Sequence, residues 1–162
     1  MFTIHEFDNT ITVHSIGAPP NGTSHLVAQP LSIAPNDAQV PKGATFAAAE
    51  ILIPPPGNGN LLYASNRNTA VNATDPRGDS IAIVQFNPPG RNSAASLKIV
   101  KQVFTGLQQI RSMAFSDDGN FLVAGAALTG GVKVFEMADG GTDLREVAAN
   151  TEVDTRTSFV WV

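Results

Sequence analysis

The sequence predicts an all-β fold built from repeated four-stranded antiparallel units. Three observations carry that reading: apolar residues recur with a period of two, turn-forming breakers separate the apolar segments, and the segments repeat in register. The repeat is plainest where "NGNLLYASNRN" (residues 58–68) is answered by "DGNFLVAGAAL" (residues 118–128).

Taken in order, alternation marks half-buried strands at Phe2-Thr3-Ile4, Ile11-Thr12-Val13-His14, Ile81 to Phe86 and Val132-Lys133-Val134-Phe135. Continuous apolar runs at Glu50-Ile51-Leu52-Ile53, Leu61-Leu62-Tyr63-Ala64 and Phe121-Leu122-Val123-Ala124 suit strands covered on both faces. Pro54-Pro55-Pro56-Gly57, Asn87-Pro88-Pro89-Gly90, Asp117-Asp118-Gly119 and Gly140-Gly141 read as the turns between them. Nothing shows a helical period.

The segments align as copies. Asn60-Leu61-Leu62 matches Asn120-Phe121-Leu122, Asp79 to Ile83 matches Gly130 to Val134, and Leu97 to Val100 matches Leu144 to Val147. A partial earlier copy supplies a second strand near Phe2–Ile4, a third at Thr10–Ile16 and a fourth near His25–Ala28; a later one supplies only a first strand at Ser158–Trp161. Four-stranded repeats of roughly 40 to 50 residues are the sequence form of propeller blades. The expected architecture is therefore a partial β-propeller of about three four-stranded antiparallel blades in one domain. Residues 1–30 form an incomplete blade, 31–45 a loop, 46–104 and 105–150 two blades, and 157–162 the first strand of a further blade. Innermost strands are expected at Ile51–Ile53, Met113–Phe115 and Phe159–Trp161, and the core should include Leu52, Leu62, Ile83, Phe115, Leu122, Val134 and Trp161.

Composition narrows the function. At 162 residues with 43% hydrophobic content, the chain can bury a real core. Its net charge is -4 and its 10 basic residues are scattered, which argues against nucleic acid as a partner. The absence of cysteine removes thiol chemistry and fits a reducing compartment. No apolar run approaches the roughly 20 residues of a membrane span. The first residues lack the basic and apolar regions of a signal peptide, so a cytoplasmic location is expected. The sequons at Asn21 and Asn72 read as chance.

Four stretches, "AAEILIPPPGNGNLLYASNR", "GDSIAIVQF", "QIRSMAFSDDGNFLVAG" and the terminal "FVWV", resemble the lactonase-type seven-bladed propellers. That family includes 6-phosphogluconolactonase and the fungal carboxy-cis,cis-muconate cyclases; "HEFDNTITVHSI" is similar to its blade motif. The likeness runs over nearly the whole chain but matches only the C-terminal part of the family, about three of seven blades. It implies cofactor-independent opening or closing of a lactone on a small anionic substrate, a carboxymuconate or a phosphosugar lactone, with the cyclase branch slightly preferred.

The resemblance also assigns residues. Glu50 matches the family's glutamate and Arg111 its arginine, at equivalent places in adjacent repeats. Arginine would hold a carboxylate bidentately while the glutamate moves a proton. Without the family, such a pair reads as a solvated ion pair at a rim. Arg67 matches a weaker, substrate-binding position and otherwise reads as a loop residue bonding nearby carbonyls. Glu6 matches a family position, where a turn-side hydrogen bond is expected. Only Lys42 stands where the family carries an upstream arginine, and this truncated chain is expected to be inactive by itself. His5, His14 and His25 lack metal-ligand spacing, Asp117-Asp118-Gly119 is a turn rather than a calcium loop, and no serine elbow or phosphate loop is present. The alternatives left open are a non-catalytic interaction module and self-association through open blade faces.

Overall fold

The computed structural model describes residues 1–20, 22–36, 38–55, 60–153 and 158–161. It is an all-β partial propeller of three four-stranded antiparallel sheets. The first contains β1 (Phe2–His5), β2 (Thr10–Ile16), β3 (Ser24–Leu26) and β4 (Leu31–Ser32). The second runs in order through β5 (Phe46–Leu52), β6 (Leu61–Asn68), β7 (Ser80–Asn87) and β8 (Ser96–Phe104). The third runs through β9 (Ile110–Phe115), β10 (Phe121–Ala126), β11 (Val132–Ala138) and β12 (Asp143–Asn150). No helix among the described residues is long and apolar enough to cross a membrane.

The middle blade is covered on both faces, as the continuous run of β6 implies, whereas β7, read as half-buried from its alternation, is buried on both faces from Ile81 to Val84. Along β6 and β7, Leu61, Tyr63, Ile81 and Ile83 point into the core shared with the third blade. Leu62, Ala64, Ala82 and Val84 point into the core shared with the first. Both faces are buried, so both parities must be apolar. Tyr63 stacks edge-on against Phe115 with ring centroids 5.1 Å apart, and its hydroxyl donates to the Gly141 carbonyl oxygen. On the other side Phe2 meets Phe86 in the same T-shaped geometry at 5.1 Å.

Several expectations need correction. The segment expected as loop from residue 31 opens with β4, which pairs Leu31 with Ile11 and Ser32 with Thr10. The fourth strand of the first blade is thus split: β3 and β4 both pair with β2, and Pro30, which lacks an N–H for a ladder, lies in the gap between them. Innermost β5 begins at Phe46 and leaves Ile53 exposed. Residues 158–161 form no strand; Trp161 is 38% exposed and holds its place by donating Nε1–H to the Ala114 carbonyl oxygen at 3.2 Å. Thr157 and Val162 of that segment, residues 56–57 of the proline-rich turn and the Asn21 sequon residue lie outside the described residues. Leu62, Ile83 and Leu122 are buried as expected, whereas Leu52, Phe115 and Val134 are half-buried and Phe135 is the buried residue of β11. Asp117-Asp118-Gly119 is a turn in which Ser116 Oγ donates to Asp118 Oδ1 and the Asn120 side chain and backbone donate to the same carboxylate.

One close approach fixes the middle and third blades together. Gly78 has φ +78°, and a Cβ there would lie 2.6 Å from the Gly106 backbone. Only glycine lets these two main chains meet. The contact delivers the next residue, Asp79, to the start of β9.

Candidate functional site

Glu50 and Arg111 both sit where an inner strand is irregular. Between Ala48, paired with Asn66, and Ile51, paired with Ala64, β5 spends two residues, Ala49 and Glu50, opposite Ser65 alone. Between Ile110, paired with Ala126, and Ser112, paired with Gly125, β9 leaves Arg111 as the extra residue. A bulge turns a side chain out of the regular alternation, and the two bulges fall in equivalent strands of neighbouring blades. Sequence alignment of the repeats places the two residues in correspondence, but the bulges themselves are visible only in the pairing register.

The two side chains then do different things. Glu50 reaches across to the third blade, where its Oε2 accepts the main-chain N–H of Met113, while its own N–H donates to Ser65 Oγ at 3.0 Å. Burial raises its pKa above the usual carboxylate value, and the Met113 N–H partly opposes the shift. Arg111 is exposed and forms no ion pair with any described residue. It lines a cavity of about 490 Å³ with Arg67, Glu6, Ile4, Ala48 and Ala49. Glu50 is not among the residues lining that cavity, although its neighbour Ala49 is.

Arg67 is a strand residue of β6, not a loop residue, and only 4% of its side chain is exposed. Its Nη2 donates to the Ala48 carbonyl oxygen at 3.2 Å and pairs with Glu6 Oε1, whose side chain is 54% exposed. Its Nε, also buried, has no hydrogen-bond partner. Glu6 lies in the β1–β2 turn as expected, but its carboxylate ties the first blade to the second. The cavity holds two guanidinium groups against one carboxylate, so it carries a net positive charge that favours an anion.

Sequence reasoning missed Asp79. It is 3% exposed and accepts three main-chain N–H groups: Asn68 at 2.8 Å, Gln109 at 2.6 Å and Ile110 at 3.1 Å. Burial raises its pKa; the three N–H groups and the charge of Arg67 act against that rise. Its signal was an acidic residue where the next repeat has Gly130. The histidines bind hydroxyls: His5 and His14 both meet Thr12 Oγ1, at 2.8 and 3.0 Å, and His25 meets Thr23 Oγ1 at 2.8 Å. Among the described residues no group of three or more histidine or acidic side chains could hold a metal ion.

Fold and cavity together define a propeller arc with a basic recess beside its inner strands. The chain belongs to the lactonase family of seven-bladed β-propellers, whose family model matches residues 1–161. Solved structures agree on the fold. A candidate 6-phosphogluconolactonase from Bacteroides fragilis superposes with a TM-score of 0.69 at 20% identity, over 97% of this chain and 37% of its own. A protein from Lactobacillus plantarum gives 0.73 at 17%, over 97% and 40%. A candidate 6-phosphogluconolactonase from Bacteroides uniformis gives 0.67 at 22%, over 96% and 38%. The chain spans about two-fifths of the length of these propellers. No functionally curated protein matches it.

Proposed function

We propose that this chain carries the anion-holding part of a lactone-forming or lactone-opening site. The observation that carries the reading is the pairing of Arg111, free of any ion pair with the described residues, with buried Arg67, one of whose N–H groups lacks a partner, in a single cavity. Two guanidinium groups against one carboxylate leave a positive cavity, and the exposed Arg111 is the one an incoming carboxylate can reach. Arg111 clamps the substrate carboxylate; Arg67, held by Glu6 and Ala48, supplies fixed positive charge behind it. Glu50, next to cavity-lining Ala49, is the proton-transfer group the family resemblance implies, and it must leave the Met113 N–H to reach a substrate held by Arg111.

In lactone closure a carboxylate oxygen adds to one carbon of a double bond and a proton joins its neighbour; in opening, water adds to the carbonyl and the ring oxygen leaves with a proton. The two are different reactions, not reverses of each other, but one clamp and one proton carrier serve either, and the closure seen in carboxymuconate cyclisation is the preferred version. A non-catalytic anion-binding module is the second reading, favoured by the Met113 N–H that already occupies Glu50.

Calorimetric titration and turnover assays separate the two. Carboxymuconate and 6-phosphogluconate should bind at millimolar level, on the order of -4 kcal/mol, and Arg111→Ala should abolish that binding. Turnover by this chain alone should be undetectable, because a site open to bulk water has a high dielectric. Turnover that vanishes in Arg111→Ala would establish the enzyme outright; binding indifferent to the substitution would remove the site.

A further inference from the structure

The basic cavity does not end at Arg111. Arg111 also borders a second cavity of about 310 Å³, with Thr69, Gln109, Ala127 and Leu128. Thr69, Gln109 and Leu128 in turn border a third, of about 220 Å³, whose far wall includes Ala70, Val71 and Gly78. The second and third share three lining residues and adjoin, and Arg111 stands between the second and the first. The floor of the second is fixed by main-chain bonds, since Ala127 N–H donates to Gln109 O at 2.8 Å and Leu128 N–H to Gln108 O at 3.2 Å.

The chemistry reverses from the first cavity to the third. At one end stand Arg67 and Arg111 against the single carboxylate of Glu6. At the other, carbon surface predominates, and the rim carries Val71, 89% exposed, and Leu128, 64% exposed. The charged groups lining that end are the buried carboxylates of Asp75 and Asp79, the first paired with Arg77 and the second saturated by main-chain N–H groups. An anionic group is drawn to the arginine end and repelled from the other. Thr74 and Gln108 also line that end, but its accessible surface is mostly carbon, so methylenes would gain from burial there.

We infer that the ligand is amphipathic: a carboxylate, or an anionic lactone and its open acid, carrying an uncharged apolar arm that lies along Thr69, Gln109 and Leu128. The inference rests on the anion reading of Arg111 and narrows it against polyhydroxylated sugar acids and equally against carboxymuconate, whose several carboxylates leave no uncharged arm. The arm is short, because Gln109 is only two residues from Arg111, which limits their separation to about 7 Å.

The test is a titration series of acetate, butanoate, hexanoate and octanoate against the chain, followed by amide chemical shifts. Each buried methylene should tighten binding about three- to fourfold, so octanoate should exceed acetate by at least tenfold. Leu128→Asp should flatten the series; the readout is the ratio of octanoate to acetate within the variant, since the new carboxylate also borders the cavity of Arg111. Arg111→Ala should weaken every member. A series already flat in the wild type, with acetate still dependent on Arg111, would overturn the apolar arm and leave the anion site standing. Chain-length dependence that survives Leu128→Asp would also overturn it, by placing the arm elsewhere. Acetate binding indifferent to Arg111→Ala would instead strike the anion reading on which the inference rests.

Discussion

The two seams of the arc are built alike in their apolar cores and differently in their polar clasps. Between the first and second blades the polar contacts come mainly from neutral amides: Asn9 donates to the Phe46 carbonyl, and Asn66 and Gln102 both donate to that of Ile33, at 2.9 and 2.7 Å. The one ion pair described there, Arg67 with Glu6, is wet on its acidic side. Between the second and third blades, carboxylates grip main-chain N–H groups: Asp79 holds Gln109 and Ile110 at the start of β9, and Glu50 holds Met113 further along it. The first seam is fastened by groups that do not titrate near neutrality, the second by groups whose ionisation is set by burial. One repeat can therefore be joined to the next by opposite hydrogen-bonding polarity without changing the fold.

The largest effect that probes this contrast is common to both seams. Leu122 is fully buried in the core of the second seam, and Leu122→Ala should cost about 2 to 5 kcal/mol in urea unfolding. Leu62→Ala, its counterpart in the first seam, should fall in the same range. A change below about 0.5 kcal/mol at either position would show that the seam is not closed in solution.

The clasps should then separate the seams. Asp79→Ala strands three main-chain donors and should cost about 3 kcal/mol, while Arg67→Met keeps the packed stem and strands a wet carboxylate, for about 1 kcal/mol. Equal or inverted costs by urea denaturation would mean that the carboxylate clasp has no special weight.

The finest effect concerns pH. Burial raises the folded-state pKa of Glu50 above its ordinary value of 4.5. In the window above that value the folded chain binds more protons than the unfolded one, so this group's contribution is greatest at low pH and declines as pH rises through the folded pKa. Glu50→Gln keeps an acceptor for Met113 and removes the titration. Wild-type stability should accordingly fall relative to Glu50→Gln between about pH 4 and pH 7; a difference constant with pH would uncouple Glu50 from folding.

The strands were legible because their cause is local. Period-two alternation marks β7 and β11, continuous apolar runs mark β6 and β10, turn residues bound them, and aligned copies reveal the four-stranded unit. The site was legible only in part. That Glu50 and Arg111 occupy bulges depends on the pairing of two strands, which no single segment encodes. Arg67 read as a loop residue because Ser65-Asn66-Arg67 is polar, yet all three are buried strand residues satisfied largely by partners from distant sequence. Trp161 read as core because the repeat and the terminal "FVWV" placed it on a further first strand, and residues 158–161 form no strand. Asp79 escaped notice because its partners are main-chain groups, which every residue owns.

The outer face of the first blade has its own consequence. Phe2, Ile4, Ile11 and Val13 turn inward, so the opposite parity, Thr3, His5, Thr12 and His14, forms the terminal surface, with two imidazoles sharing one hydroxyl. On the far side of the third blade the corresponding parity is Ala114, Val123 and Val134, with Trp161 hydrogen-bonded at its edge. In stacked repeats a layer ending in hydrogen-bonding side chains behaves as a cap, and one ending in aliphatic groups behaves as an unfinished course. The two ends of the arc differ in that sense, hydroxyl and imidazole groups on the first layer against aliphatic groups beside Phe121 and the Glu136–Arg145 ion pair on the last.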